Sequence, residues 1–315
     1  MQKRRLGRSG LEVSALGFGC GAVGGLMVRG ERAEQVRSVG RALEAGINYF
    51  DTAPSYGDGA SERNLGHALR ELGRPAEVLV GTKVGLSGED LARPRQAIRR
   101  SLEASLARLG LDRVDVLYLH NQIDAQTEAA LGEISEGFGR AVEEGLARHA
   151  GFTAVGRTQA LHRMAADPAY EACQAYLNVL NPSAVRAGAR GGQQDFEGLI
   201  GWAAEHATGV VAIRVYAAGA LTAGPERHPH AHLPPRPLVP GSDYATDVER
   251  ARGLERTLAE LGVESPLELG LRFALSAPGV STALVGLSTI EHLEAAIRWA
   301  ERGPLPPDQF ERLLA

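Results

Sequence analysis

Cysteine is nearly missing from the 315 residues, with only Cys20 and Cys173 present. Two isolated thiols give neither a framework of disulfides nor the close spacing of a metal centre, so a reducing compartment is expected. Runs of like charge are missing too. The 34 Lys and Arg nearly balance the 38 Asp and Glu, for a formal net charge of −4 and a pI near 6.2. That balance excludes the basic face that a nucleic acid or an anionic membrane would need. No stretch approaches the ~18 consecutive apolar residues of a spanning helix. The opening Met-Gln-Lys-Arg-Arg-Leu-Gly lacks the apolar stretch of a secretory signal. The expected setting is cytoplasmic, with no membrane or nucleic-acid partner. Internal repeats and low-complexity tracts are absent as well.

What remains is a large apolar fraction, 44% of the chain, distributed with a clear rhythm. Strand-like runs fall at 15–19, 47–50, 77–82, 114–119, 149–153, 172–177, 209–215 and 281–285. Amphipathic helices lie between them, with apolar residues three and four apart, as in Val36, Val39, Leu43; Leu65, Leu69, Leu72; and Ile98, Leu102, Leu106, Leu109. Two helix starts carry capping boxes, Ser265-Pro-Leu-Glu268 and Ser288-Thr-Ile-Glu291. Strand–helix alternation repeated eight times, without a linker-like composition shift, predicts an α/β fold. The expected form is a (β/α)8 TIM barrel occupying residues 1–315 as a single domain. The N-terminal segment 4–13 reads as a β-hairpin. A long Pro- and His-rich loop after strand seven, from Leu221 to about Tyr244, is expected to cover the active rim.

Four polar residues sit at or just past the ends of three of these runs: Asp51, Tyr56, Lys83 and His120. In a closed parallel barrel the C-terminal strand ends converge on one rim, where barrel enzymes do their chemistry. A phenol suits delivery of a proton to a carbonyl oxygen, but its ordinary pKa of about 10 makes it a weak acid at neutral pH. An ammonium beside it favours the phenolate, and Lys83 is placed to supply one. Lys83 in turn needs a carboxylate, which Asp51 provides, and the His120 imidazole can hydrogen-bond the substrate oxygen. Singly, each has a bland reading: a strand-end ion pair, a satisfied core histidine, a loop tyrosine. Together they favour catalysis.

At these residues the chain resembles the aldo-keto reductase superfamily. The resemblance is carried by Arg5-Leu-Gly-Arg-Ser-Gly-Leu-Glu-Val-Ser14, Asn48-Tyr-Phe-Asp-Thr-Ala-Pro-Ser-Tyr-Gly57, Ser61-Glu62, Gly81-Thr-Lys83, Ser101-Leu102 with Ser105-Leu106, and Val114-Asp-Val-Leu-Tyr-Leu-His120. It spans essentially the whole chain. It implies a (β/α)8 fold, a nicotinamide cofactor extended across the barrel mouth, and a tetrad of Asp51, Tyr56, Lys83 and His120 with the tyrosine as proton donor. The second half departs from the pattern. Thr153-Ala154 stands where the family has Ser-Asn, while Gln174 matches its carboxamide contact. Ile213 replaces the nicotinamide-stacking tyrosine, with Tyr216 nearby. His292 replaces the arginine that grips the adenosine 2′-phosphate, and Ala296 the following Asn.

A phosphate site is still expected after strand eight. Gly286, Leu287 and Ser288 lead into a helix whose N-terminus offers free N–H groups, with Arg214 as the nearest cation. The expected cofactor is therefore NADP(H), with NAD(H) possible. Gly19-Cys-Gly-Ala-Val-Gly24 spells the dinucleotide fingerprint, but Gly25-Leu-Met-Val-Arg-Gly30 follows where a long helix should open. Gly19 and Cys20 are read instead as a close approach of strand one to the cofactor, with Cys20 a small buried side chain. His228-Pro-His-Ala-His232 reads as a solvated loop, and no metal is expected. Reduction of aldehydes or ketones is the leading expectation. An NAD(P)-linked aldose or sugar dehydrogenase on the same site is the alternative, and a non-catalytic, cofactor-binding regulatory subunit the alternative of a different class. Substrate identity and oligomeric state are not legible.

Overall fold

The runs at 79–84 and 114–119 are buried at every position, as parallel strands covered on both faces must be. A computed structural model of the chain describes residues 1–188, 192–224, 226–231, 238–241 and 243–315. Its strands are β1 (Lys3–Arg5), β2 (Glu12–Ser14), β3 (Leu16–Gly19), β4 (Tyr49–Asp51), β5 (Leu79–Val84), β6 (Val114–Leu119), β7 (Ala147–Ala154), β8 (Ala172–Tyr176), β9 (Gly209–Ile213) and β10 (Val280–Gly286). β1 and β2 pair as an antiparallel hairpin. β3 to β10 close into a parallel barrel in chain order, β10 returning to β3. With helices packed around it, this is the (β/α)8 architecture expected from the alternation.

The hairpin closes the bottom of the barrel. Leu6, Leu11 and Val13 join Tyr49, Val116, Tyr118 and Val211 in one buried cluster. Arg4 Nη1 donates to the Val280 carbonyl (3.0 Å) at the start of β10. Inside, Tyr49 and Tyr118 share a 2.8 Å hydrogen bond between their hydroxyls. Gly81 makes room for them, since a Cβ there would lie 2.7 Å from the Tyr49 oxygen. With that end plugged, the C-terminal rim is left for a site.

Several local expectations shift by a residue or two. β5 runs to Val84 because Lys83 and Val84 pair with Tyr118 and Leu119, so Lys83 lies within the strand rather than past it. β9 stops at Ile213, and Arg214 turns away with φ 60°, outside the sheet region. In the helix Pro94–Leu109 the expected stripe is buried at Ile98, Leu102, Leu106 and Leu109. In Ala60–Glu71, Leu65 and Leu69 are buried, whereas Leu72 lies past the last turn and is exposed. Ser265 caps its helix by accepting from the Glu268 N–H (3.1 Å), a contact worth about 1 kcal/mol. The second capping box is corrected. The helix Ile290–Glu301 is capped by Thr289, which accepts from the His292 N–H, because the Ser288 hydroxyl is committed to the Gly24 carbonyl (2.7 Å).

Residues 225, 232–237 and 242 of the long loop, His232 among them, lie outside the described residues. Among the described residues no helix is long and apolar enough to cross a membrane.

Candidate active site

Register brings the rim residues together. Asp51 ends β4 opposite Gly19 of β3 and Gly81 of β5, two residues before Lys83 on the same strand. His120 follows β6 directly, held by its N–H to the Val84 carbonyl (2.8 Å). Tyr56 stands in the turn after β4, where its N–H reaches the Ala53 carbonyl (3.1 Å).

Lys83, 1% exposed, donates to Asp51 Oδ1 and to the Thr52 carbonyl (2.8 Å). Burial alone pulls the Lys83 ammonium down; Asp51 and Tyr56 outweigh it and hold the amine above its ordinary value. Burial raises the Asp51 carboxyl, against the opposing pull of Lys83 and Gln174. The second carboxylate oxygen is also taken, because Gln174 Nε2 donates to Asp51 Oδ2 (2.5 Å). Thr153 Oγ1 donates in turn to Gln174 Oε1 (3.3 Å). This Thr153–Gln174–Asp51 chain was not foreseen from the sequence, which placed Thr153 and Gln174 only against a cofactor.

Lys83 Nζ lies 4.9 Å from the centroid of the Tyr56 ring. Burial nevertheless raises the Tyr56 phenol above its ordinary value, with Lys83 lowering it in opposition and Asp51 adding to the rise. Contrary to the expectation from the sequence, Lys83 therefore does not lower the phenol overall but offsets a desolvation cost that composition does not reveal. The His120 ring meets Tyr56 edge-on at 5.8 Å. Burial, then Lys83 and Arg214, push the imidazole down to about 3, so it is neutral at physiological pH and can donate one hydrogen bond.

A buried polar layer fixes these groups from behind. Glu62, fully buried, accepts from Thr82 Oγ1 (2.6 Å) and Arg108 Nε (2.5 Å). Ser61 bonds the Thr52 hydroxyl (2.7 Å) and the Cys20 carbonyl (2.8 Å). Ser61-Glu62 thus clamps the neighbours of Asp51 and Lys83. Asn121 accepts from the Leu86 N–H and donates to its carbonyl, both at 2.8 Å, tying the loops after β5 and β6.

A cavity of about 540 Å³ opens over this layer and runs across the rim to the helix Ile290–Glu301. Of the residues singled out in the sequence, Gly19, Asp51, Tyr56, His120, Thr153, Gln174, Ile213, Arg214, Tyr216, Gly286, Ser288 and His292 line it. Lys83, Cys20 and Leu287 stand behind the wall. Burial keeps the Cys20 thiol protonated by raising its pKa, which argues against a redox-sensitive site. Leu287 shapes the wall through its backbone: its carbonyl accepts from the Leu26 N–H (3.0 Å), and a Cβ on Gly24 would collide with it. The cavity is in the usual size range for ligand sites, and its lining includes both Tyr56 and His120 and, from the other side, Ser288 and His292. The Tyr216 hydroxyl is buried with no partner among the described residues, a donor left for a bound group to satisfy.

At the far end, the Ser288 N–H points to His292 Nδ1 (3.4 Å). Burial, then His228, lowers the His292 pKa; the two rings are 6.2 Å apart. The segment 226–231 bridges the mouth. Arg29 Nε donates to the His230 carbonyl (2.6 Å) and Arg227 Nη2 to that of Val23 (3.3 Å). Arg214 and His292 line the same cavity but act on different groups. The charges acting on His292 are His228 and Glu291, while Arg214 acts on Tyr56 and His120. It belongs to the reacting end of the cavity. Among the described residues no group of three or more His, Cys, Asp or Glu side chains is arranged to hold a metal.

The comparisons with known proteins agree with this geometry. The chain is 28% identical over 302 residues to L-galactose dehydrogenase of Arabidopsis thaliana, covering 93% of this chain and 86% of that protein. It is 32% identical over 240 residues to D-threo-aldose 1-dehydrogenase of a Pseudomonas species, covering 68% and 69%. The holo form of aldo-keto reductase AKR11C1 from Bacillus halodurans superposes with a TM-score of 0.74 at 26% identity, over 100% of this chain and 95% of that one. The model of the Aldo/keto reductase family matches residues 15–315. With the barrel, the rim cluster and this match in agreement, the chain belongs to the aldo/keto reductase family and is an NAD(P)H-dependent oxidoreductase.

Proposed function

We propose that the enzyme reduces aldehydes or ketones to alcohols with NADP(H), Tyr56 delivering the proton to the carbonyl oxygen. The observation that carries this reading is the buried Lys83–Asp51 pair set beneath Tyr56, with neutral His120 at its edge. When bound, the nicotinamide supplies or accepts the hydride. The protein's own part is proton movement and orientation. The His120 N–H hydrogen-bonds the carbonyl oxygen and turns it toward the phenol. As the proton leaves, Lys83 stabilises the phenolate electrostatically. Asp51 keeps Lys83 charged, and Gln174 keeps Asp51 aimed. Gly19, Cys20, Thr153, Gln174, Ile213, Tyr216, Gly286, Leu287, Ser288 and His292 are read as the cofactor's surroundings, His292 meeting the 2′-phosphate. Residues 1–315 are read as one domain working in the cytoplasm.

A second reading uses the same residues in reverse. The phenolate takes the proton of an alcohol or of an aldose's anomeric hydroxyl, as the names of the two related dehydrogenases suggest. A purely regulatory role has less support, since desolvating an ion pair costs several kcal/mol and binding alone does not need one there. Oxidation of NADPH and NADH is to be followed against small aldehydes, ketones and sugars, with alcohol oxidation as the reverse assay. A fall of ~10²–10⁴-fold in turnover for Tyr56→Phe supports the reading. Negligible turnover on every carbonyl and alcohol, together with a stoichiometric partner in a pull-down, would reverse it in favour of the regulatory subunit.

A further inference from the structure

Arg214 is the first residue after β9 and holds a left-handed backbone, φ 60°, unusual for a side chain other than Gly, Asn or Asp. Such strain tends to persist where a site requires it. Its guanidinium lines the cavity with Tyr56 and His120, and its charge is felt by both. Its carbonyl accepts from the Ala217 N–H (2.7 Å), but among the described residues no hydrogen bond or ion pair reaches the guanidinium. Two carboxylates line the same cavity. Asp51 has both oxygens occupied by Lys83 and Gln174, and Glu226 makes no ion pair with Arg214. Burial lowers the Arg214 pKa, Arg227 adding to the fall while Tyr176 and Tyr56 oppose it. Arg214 therefore presents a forked donor to whatever enters the cavity.

We propose that Arg214 is a carboxylate subsite of the substrate pocket, and that the preferred substrates are aldehydes or ketones carrying a carboxylate. The inference rests on the carbonyl-reductase reading above and names the substrate class for that site. A phosphate oxygen of the cofactor offers the same anionic chemistry, so the test separates the two sources.

The probes are benzaldehyde and 4-carboxybenzaldehyde, compared by kcat/KM in wild type, Arg214→Met and Arg214→Lys. NADPH affinity is read by quenching of protein fluorescence, and benzoate is titrated against benzamide on the enzyme–NADPH complex. The ratio of the two aldehydes cancels any effect of Arg214 on the reacting groups. Wild type should favour the carboxylate, and Arg214→Met should cut that preference ~10–100-fold, as loss of a charge-assisted hydrogen bond does. Arg214→Lys should retain part of it. Equal losses on both aldehydes with a matching rise in the NADPH dissociation constant would assign Arg214 to the cofactor and overturn the proposal. Benzoate binding that ignores Arg214→Met overturns it too. If neither aldehyde turned over while benzoate bound in an Arg214-dependent way, the reductase reading would fall and the subsite would stand.

Discussion

Removing the ammonium at Lys83 separates an electrostatic role from a covalent one. Nζ lies 4.9 Å from the Tyr56 ring centroid, and the lysine is 1% exposed. At an effective dielectric constant of about 20, a unit charge at that distance favours the phenolate by about 3 kcal/mol. That corresponds to roughly 10²-fold in phenolate population at fixed pH. Alcohol oxidation needs the phenolate, so Lys83→Met should slow it about 10²-fold and move the limb of its pH profile upward. Reduction draws on the protonated phenol and should lose less at low pH. The variant also strands Asp51. Leaving one partner of a buried pair costs about 3–5 kcal/mol unless it takes a proton, and burial already raises the Asp51 carboxyl. Asp51→Asn/Lys83→Met removes both charges and should recover melting temperature without recovering oxidation. The assay is kcat/KM for oxidation and reduction across pH in wild type and both variants. An oxidation limb that stays in place, or a borohydride-trapped substrate adduct on wild-type Lys83, would refute the electrostatic account.

The sequence made the barrel and the tetrad legible for one reason: each of Asp51, Lys83 and His120 closes a run whose buried, parallel character shows in its composition. Contacts between distant strands were less visible. Gln174 and Asp51 are 123 positions apart, and only closure of the barrel tells which amide meets which carboxylate. The sign of the Tyr56 shift was hidden for the same cause, because desolvation is a property of the assembled pocket. At Ser288-Thr289 a local rule failed. Glu291 at the third helical position favoured Ser288 as the cap, yet its hydroxyl serves Gly24, 264 positions earlier, and Thr289 caps instead. Arg214 was read as a phosphate partner because it closes strand seven. Ending β9 at Ile213 rather than two residues on puts its charge beside Tyr56.

Tyr56→Phe keeps the ring and removes the acid, so turnover in a chemistry-limited assay should fall ~10²–10⁴-fold with cofactor affinity little changed; near-wild-type turnover would place the proton donor elsewhere. Gln174→Leu leaves an oxygen of buried Asp51 without its amide partner. Denaturant unfolding should show a loss of about 1–3 kcal/mol, and an unaltered stability would mean that the bond contributes nothing net. The last concerns His292, which burial and His228 hold below its ordinary pKa. A 2′-phosphate favours the imidazolium, so binding NADPH takes up a proton wherever the free imidazole is neutral. The preference for NADPH over NADH should therefore be small at pH 8 and grow as pH falls, with most of the rise below about 6.5, the ordinary histidine value. His292→Arg supplies a permanent charge and a fork, and should raise the preference at pH 8 by ~10–100-fold while flattening its pH dependence. The measurement is the ratio of NADPH to NADH dissociation constants at pH 8 and pH 5.5 in both proteins. A wild-type ratio that does not move between those values, or that favours NADH at both, removes His292 from the phosphate site.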